Sequence, residues 1–76
     1  MKSIHSRRSV AIRQALIKAR RQARISQDEL ARRLGSDQST VSKIERGERR
    51  LDIVEFLEWC DKIGTDPATI LRAGQK

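Results

Sequence analysis

Seventy-six residues with a formal net charge of +7 make one domain, close to the smallest size at which a single hydrophobic core holds a fold without staples. The lone cysteine, Cys60, cannot pair within the chain, no Cys/His spacing suits zinc, and no apolar run approaches a membrane span or a signal-peptide core. A soluble, cytoplasmic protein is expected, with no metal, cofactor or membrane partner, and the 36% charged residues against 3% aromatic ones point to helix.

The elements follow in chain order. Met1 to Arg8 (residues 1–8) reads as a polar, basic arm, and residues 9–73 as the folded domain. Ser9 to Arg24 is a helix with Ile12, Leu16, Ala19 and Ala23 on one stripe. Ser26 with Glu29 is a capping box, which opens a second helix to about Leu34. Gly35 is placed to end it in the left-handed conformation. Asp37 caps a third helix from Gln38 to about Arg46, stopped by Gly47. Asp52 with Glu55 opens a fourth, Ile53 to Ile63, ended by Gly64. Asp66 and Pro67 open a short fifth through Arg72. The expected fold class is all-α: five helices, no strand, and a core of Leu16, Ala23, Leu30, Ala31, Leu34, Val41, Ile44, Ile53, Phe56, Cys60 and Ile63.

The second and third helices carry the strongest pattern. Leu30, Leu34, Val41 and Ile44 are apolar, Ala31 is small where two helices would cross closely, and Gly35 supplies the turn. That combination is the sequence form of a helix-turn-helix. With Val41 and Ile44 pointing inward, Ser39, Lys43 and Arg46 point out, Thr40 and Ser42 lie on the shoulders, and Gln38 projects from the N-terminal tip. Such groups suit a DNA major groove: glutamine pairs with adenine through two hydrogen bonds, lysine reaches guanine, and hydroxyls serve bases or phosphates. Gln27, in the first turn of the second helix, is placed for a phosphate, or is simply an exposed side chain. Arg46, Arg49 and Arg50 form a basic rim suited to the sugar-phosphate backbone.

Charge distribution agrees. Residues 1–27 carry eight Lys/Arg and no acid, whereas residues 52–66 hold five acids against Lys62 alone. A polyanion on one side, and solvent or a second subunit on the other, fits that polarity.

The stretch ISQDELARRLGSDQSTVSKIERGERR resembles the DNA-binding domain of Cro and lambda-repressor-like regulators, the XRE family, from about Leu16 to Leu71. Its Ser-Gln-x-x-Leu-Ala and Ser-x-Ile-Glu-x-Gly motifs are specific. The resemblance implies a compact five-helix domain that regulates transcription, usually as a homodimer on an inverted-repeat operator of double-stranded DNA. It assigns Gln27 and Gln38 to phosphate- and base-contacting glutamines, and Ser39, Ser42 and Lys43 to groove-facing positions. Thr40, Arg46, Arg49 and Arg50 are the further phosphate candidates. Two residues depart from the pattern: Ser36 stands where the family often has an apolar turn residue, and Arg24 where it often has glycine. Glu45, beside the inward side of the third helix, has Arg49 one turn away, while the resemblance pairs it with Arg20 as a structural ion pair.

No carboxylate pair, phosphate-binding loop or metal cluster accompanies His5 or Cys60, so no catalytic residue is expected and the chain is not read as an enzyme. No small-molecule ligand is evident either. A homodimeric repressor of a phage, mobile-element or own operon is the leading expectation, with dimer contacts through Trp59, Ile70 and Leu71, at least one of Ile70 and Leu71 being expected to cap the monomer's own core instead. The alternatives are a controller of a restriction-modification operon, or an autoregulating antitoxin that binds a toxin protein.

Overall fold

Each helix begins where a small polar side chain stands in for a missing backbone acceptor. In the computed structural model, which describes residues 3–75, Ser6, Ser26, Asp37, Asp52 and Asp66 each accept from a backbone N–H in the first turn that follows. They open α1 (Arg7–Gln22), α2 (Gln27–Leu34), α3 (Gln38–Glu45), α4 (Ile53–Ile63) and α5 (Pro67–Arg72). No strand occurs among the described residues. At α4 the capping box is complete, because Glu55 also accepts from the Asp52 N–H. At α2, Glu29 instead turns its carboxylate to Arg32 and Arg33.

The N-terminal segment differs from the expected arm. Met1 and Lys2 lie outside the described residues, but Ser3–His5 forms a 3₁₀ turn and Arg7 already begins α1. Arg13 Nη1 donates to the Ile4 carbonyl at 2.5 Å, so this turn is tied to the first helix. The far end of α1 also arrives early. Ile25 N–H bonds the Arg20 carbonyl (3.1 Å) and Arg24 N–H the Arg21 carbonyl (3.0 Å), with Arg24 at φ 60°. Those are the two bonds of a glycine-type helix stop, made here by an arginine. The left-handed region crowds Cβ against the backbone. Arg24 accepts that strain because the stop turns Ile25 into the core, where it is 6% exposed.

Leu16, Leu30, Ala31, Val41, Ile44, Phe56, Cys60 and Ile63 are buried together, and Leu34 packs half-buried against them. Two expected core members are not there. Ala23 is exposed because α1 ends just before it, and Ile53, the first residue of α4, is 77% exposed. Trp59 and Ile70 were expected on a dimer surface, yet each is only 3% exposed. Phe56, Trp59, Cys60 and Ile63 recur at helical spacing, so Trp59 lies inside the buried stripe of α4. Ile70 is the buried residue through which α5 packs on the core.

One polar pair is buried with these side chains. Glu45 Oε2 accepts from Arg20 Nε at 2.7 Å and Oε1 from Arg20 Nη2 at 2.9 Å, with side-chain exposures of 6% and 8%. Arg20 Nη1 donates to the Ile25 carbonyl at 2.8 Å. The guanidinium therefore joins α1, the α1–α2 connection and α3 at one point. Of the two partners open to Glu45, it takes Arg20, while Arg49 bonds Glu55.

Leu30→Ala should cost about 2–5 kcal/mol in urea unfolding, the range for a fully buried leucine, while Ile53→Ala should stay within about 0.5 kcal/mol. Equal losses at both positions would refute this placement of the core. Removing Arg20 or Glu45 alone should cost about 3–5 kcal/mol, and removing both should cost clearly less than the sum, since neither charge is then stranded. A double-mutant cycle with additive losses would show that the pair is not coupled.

Candidate nucleic-acid interface

The turn between α2 and α3 rests on Gly35, at φ 68°, whose N–H bonds the Arg32 carbonyl while Ser36 N–H bonds that of Ala31. A side chain at this φ is strained, so glycine makes the turn short at no steric cost. Ser36, the polar departure from the family pattern, is exposed and does not disturb it. Asp37 then caps α3 by accepting from Thr40 N–H at 2.8 Å. The backbone N–H of Thr40 holds the Asp37 carboxyl below its ordinary range, so the cap is a charged one.

From that start α3 divides cleanly into two faces. Val41 and Ile44 are buried, while Gln38, Ser39, Lys43 and Arg46 are exposed, and Thr40 and Ser42 are half-buried. The four groups assigned to bases (Gln38, Ser39, Ser42 and Lys43) thus share the helix side turned from the core.

Gln27 is half-buried and does more than stand at the surface. Its Nε2 donates to Glu45 Oε1 at 2.8 Å, and its Oε1 accepts from Gln38 Nε2 at 2.7 Å. A continuous chain of hydrogen bonds therefore runs from buried Arg20, through Glu45 and Gln27, to the exposed tip of α3. Sequence reasoning proposed the Arg20–Glu45 pair and the two glutamines separately; the structure makes them one network.

The basic rim is partly occupied. Arg46 Nε bonds Glu48 Oε2 at 2.9 Å, and its Nη1 bonds Ser42 Oγ at 2.6 Å. Arg49 Nη2 bonds Glu55 Oε2 at 2.9 Å. The bond from Arg46 lowers the Glu48 carboxyl, and the bond to Glu55 raises the Arg49 guanidinium. Arg50 is exposed, with its carbonyl accepting weakly from Arg49. Glu48 and Glu55 were missed as partners of this rim. Their positions two and six residues along from the arginines were the only signal, and the loop path between them was not readable.

A second omission concerns α4. Besides Leu71 at 44%, the exposed large apolar side chains among the described residues are Ile53, Val54 and Leu57, at 77%, 61% and 50% exposure. These three lie at i, i+1 and i+4 on the helix, an apolar stripe additional to the buried one. Ile53 and Leu71 also line an apolar cleft of about 290 Å³, whose other walls include Ile12, Leu16 and Phe56.

His5 is exposed, and burial pushes the Cys60 thiol up, away from the thiolate. No group of three or more His, Cys, Asp or Glu among the described residues could hold a metal ion, and no described helix is long and apolar enough to cross a membrane.

The family HTH_3, helix-turn-helix, matches residues 16–70. A solved structure, an XRE-family like protein from Pseudomonas syringae pv. tomato str. DC3000, is similar at 50% sequence identity, with a TM-score of 0.88 over 97% of this chain and 90% of that one. No curated protein matches. With its turn glycine, its two-faced third helix and these likenesses, the chain belongs to the XRE family of helix-turn-helix DNA-binding regulators.

Proposed function

We propose that the chain is a homodimeric, sequence-specific transcriptional repressor that reads an inverted-repeat operator in double-stranded DNA. The observation that carries this reading is the outer face of α3, where Gln38, Ser39 and Lys43 stand exposed together above buried Val41 and Ile44. In the bound state Gln38, Ser39, Ser42 and Lys43 enter the major groove and meet base edges. Gln27, Thr40, Arg46, Arg49 and Arg50 meet phosphates, which position the protein and make binding sensitive to salt. Nothing in this role requires catalysis, a cofactor or a small-molecule ligand; the protein acts by occupying DNA.

A single recognition helix covers only a few base pairs, so selectivity requires two. The dimer surface proposed here is Ile53, Val54 and Leu57 of α4 with Leu71 of α5, in place of Trp59 and Ile70, which the core has taken. These four side chains are exposed, and a second copy related by a two-fold axis would bring the same patch against itself.

Lys43→Ala should relax preference at one base pair by about 1–3 kcal/mol, whereas Arg49→Ala should weaken all sequences alike and lower the salt slope by about 1. Selection from randomised duplexes, followed by titrations at several salt concentrations, checks both; an unchanged selected motif for Lys43→Ala would remove that residue from the groove. Leu57→Glu should leave the fold intact, shift the protein to monomer, and weaken operator binding on the order of a hundredfold through lost bivalency. Sedimentation of the wild type, free and with DNA, decides the point: a monomer in both states sinks the dimer.

A further inference from the structure

We propose that the apolar cleft bounded by the N-terminal turn, α1, the α3–α4 loop, α4 and α5 is a binding site for a small apolar carboxylate, and that filling it weakens DNA binding. The second half rests on the proposed phosphate-contacting role of Arg49 and Arg50; the first does not.

The lining of the cleft selects both size and charge. Eight of its twelve lining residues are apolar, among them Ile12, Ile53, Phe56 and Leu71; the other four are Ser9, Arg13, Arg49 and Arg50, with no acid. Its volume of about 290 Å³ is roughly twice the 150 Å³ that holds a benzene molecule, so the body that fits is about two fused rings.

Arg13 gives the cleft its preference for a carboxylate. It is half-buried, and its Nη1 donates to the Ile4 carbonyl at 2.5 Å and to Ser9 Oγ at 3.3 Å, neither of which carries a charge. Among the described residues no carboxylate pairs with it, and Nε and Nη2 have no acceptor. Arg20, the buried guanidinium of α1, is by contrast held by both oxygens of Glu45. A guanidinium withdrawn from water favours such a partner, because screening is weaker there and its fork matches two oxygens. A ligand carboxylate would do for Arg13 what Glu45 does for Arg20. At the rim Arg49 is committed to Glu55, whereas Arg50 is exposed with no ion-pair partner among the described residues, so Arg50 is the second available cation.

The same guanidinium touches the DNA-facing side of the molecule. It lies against Gly47, in the loop after α3, where a Cβ would come within 2.7 Å of Nη2 and 2.9 Å of Cζ. That loop runs on to Arg49 and Arg50, which line the cleft themselves. An anion seated there cancels part of the positive field that draws phosphates and repels them directly. Ligand and DNA therefore oppose each other, whichever binds first.

The probe is naphthoate, with naphthalenemethanol as its uncharged counterpart, each titrated calorimetrically into the full chain without DNA. Naphthoate should bind and move the Ile12 and Ile53 methyl signals. The alcohol should bind about tenfold or more weakly, the loss expected for a charge-assisted two-bond contact. Arg13→Met should lose naphthoate affinity by a similar factor. In wild type, naphthoate at about ten times its dissociation constant should weaken the selected duplex about tenfold per protomer, and in Arg13→Met the same concentration should have little effect. Circular dichroism establishes folding; should Arg13→Met unfold, the comparison of acid and alcohol on wild type carries the test. No heat at millimolar naphthoate, equal affinity for acid and alcohol, or unchanged affinity in folded Arg13→Met overturns the site. Binding seen in monomeric Leu57→Glu and absent in wild type places a second copy over the cleft and overturns it as well. If naphthoate binds at Arg13 yet leaves duplex affinity unchanged, the site holds and the opposition to DNA is overturned. If wild type binds no duplex at all, the proposed function fails while calorimetry still decides the site.

Discussion

A carboxylate removed from water has to be answered on every side, and the fold is arranged around that demand at Glu45. Arg20 meets it with two N–H groups and Gln27 with a third. Arg20 in turn spends its remaining nitrogen on the Ile25 carbonyl, and no buried side-chain nitrogen or oxygen among the described residues lacks a partner. Such a pair contributes little net stability over an apolar substitute, because desolvation offsets the attraction. What it supplies is geometry. Hydrogen bonds are directional where apolar contacts are not, so the pair sets how α1, α2 and α3 meet in a way that Leu16, Leu30 and Ile44 alone do not.

That constraint explains why helices as short as α2 and α3 are stable. Eight residues make barely two turns, too few to hold their shape in water. Each is fixed at its start by a capping side chain, at its end by a backbone stop, and along one face by the core. The stop after α1 obeys the same logic under strain. Arg24 adopts the left-handed conformation because the bonds of Ile25 and Arg24 to the last carbonyls of α1, and the burial of Ile25, outweigh the crowding of a single Cβ.

The same balance shows what the sequence could convey. Caps and stops were legible because they depend on residues three or four apart: Asp37 with Thr40 and Asp52 with Glu55 form as their spacing suggests. The helix-turn-helix was legible because Ala31, Gly35, Val41 and Ile44 constrain one another. Burial on α4 was less so, since Ile53 shares the spacing of Phe56 and Cys60 yet lies at the helix end, 77% exposed. Trp59 suffered the opposite error: its size suggested surplus surface, whereas it lies on the buried stripe with Phe56, Cys60 and Ile63 and is only 3% exposed. The site divides along the same line. Which residues α3 turns outward follows from 3.6-residue periodicity, but the bond between Gln27 and Gln38 spans eleven residues and two helices. No local pattern encodes it.

The rim arginines add a final consideration about binding. Arg46 with Glu48 and Arg49 with Glu55 are exposed pairs, in which solvent screening leaves the mutual attraction small. In the proposed complex a phosphate can take either guanidinium at small cost, because a salt bridge is exchanged for another of the same kind. The displaced carboxylates, however, then face a polyanion and disfavour every duplex alike. In that complex, charge at this rim governs how tightly and how fast the protein meets DNA in general. In the same proposed complex, choice among sequences falls to groups such as Gln38, which carry no net charge. A surface rich in positive charge and a surface able to discriminate are thus separate requirements. In the proposed complex they fall to different residues: arginines after α3, and the Gln38 amide at its start, joined through Gln27 to the buried carboxylate of Glu45.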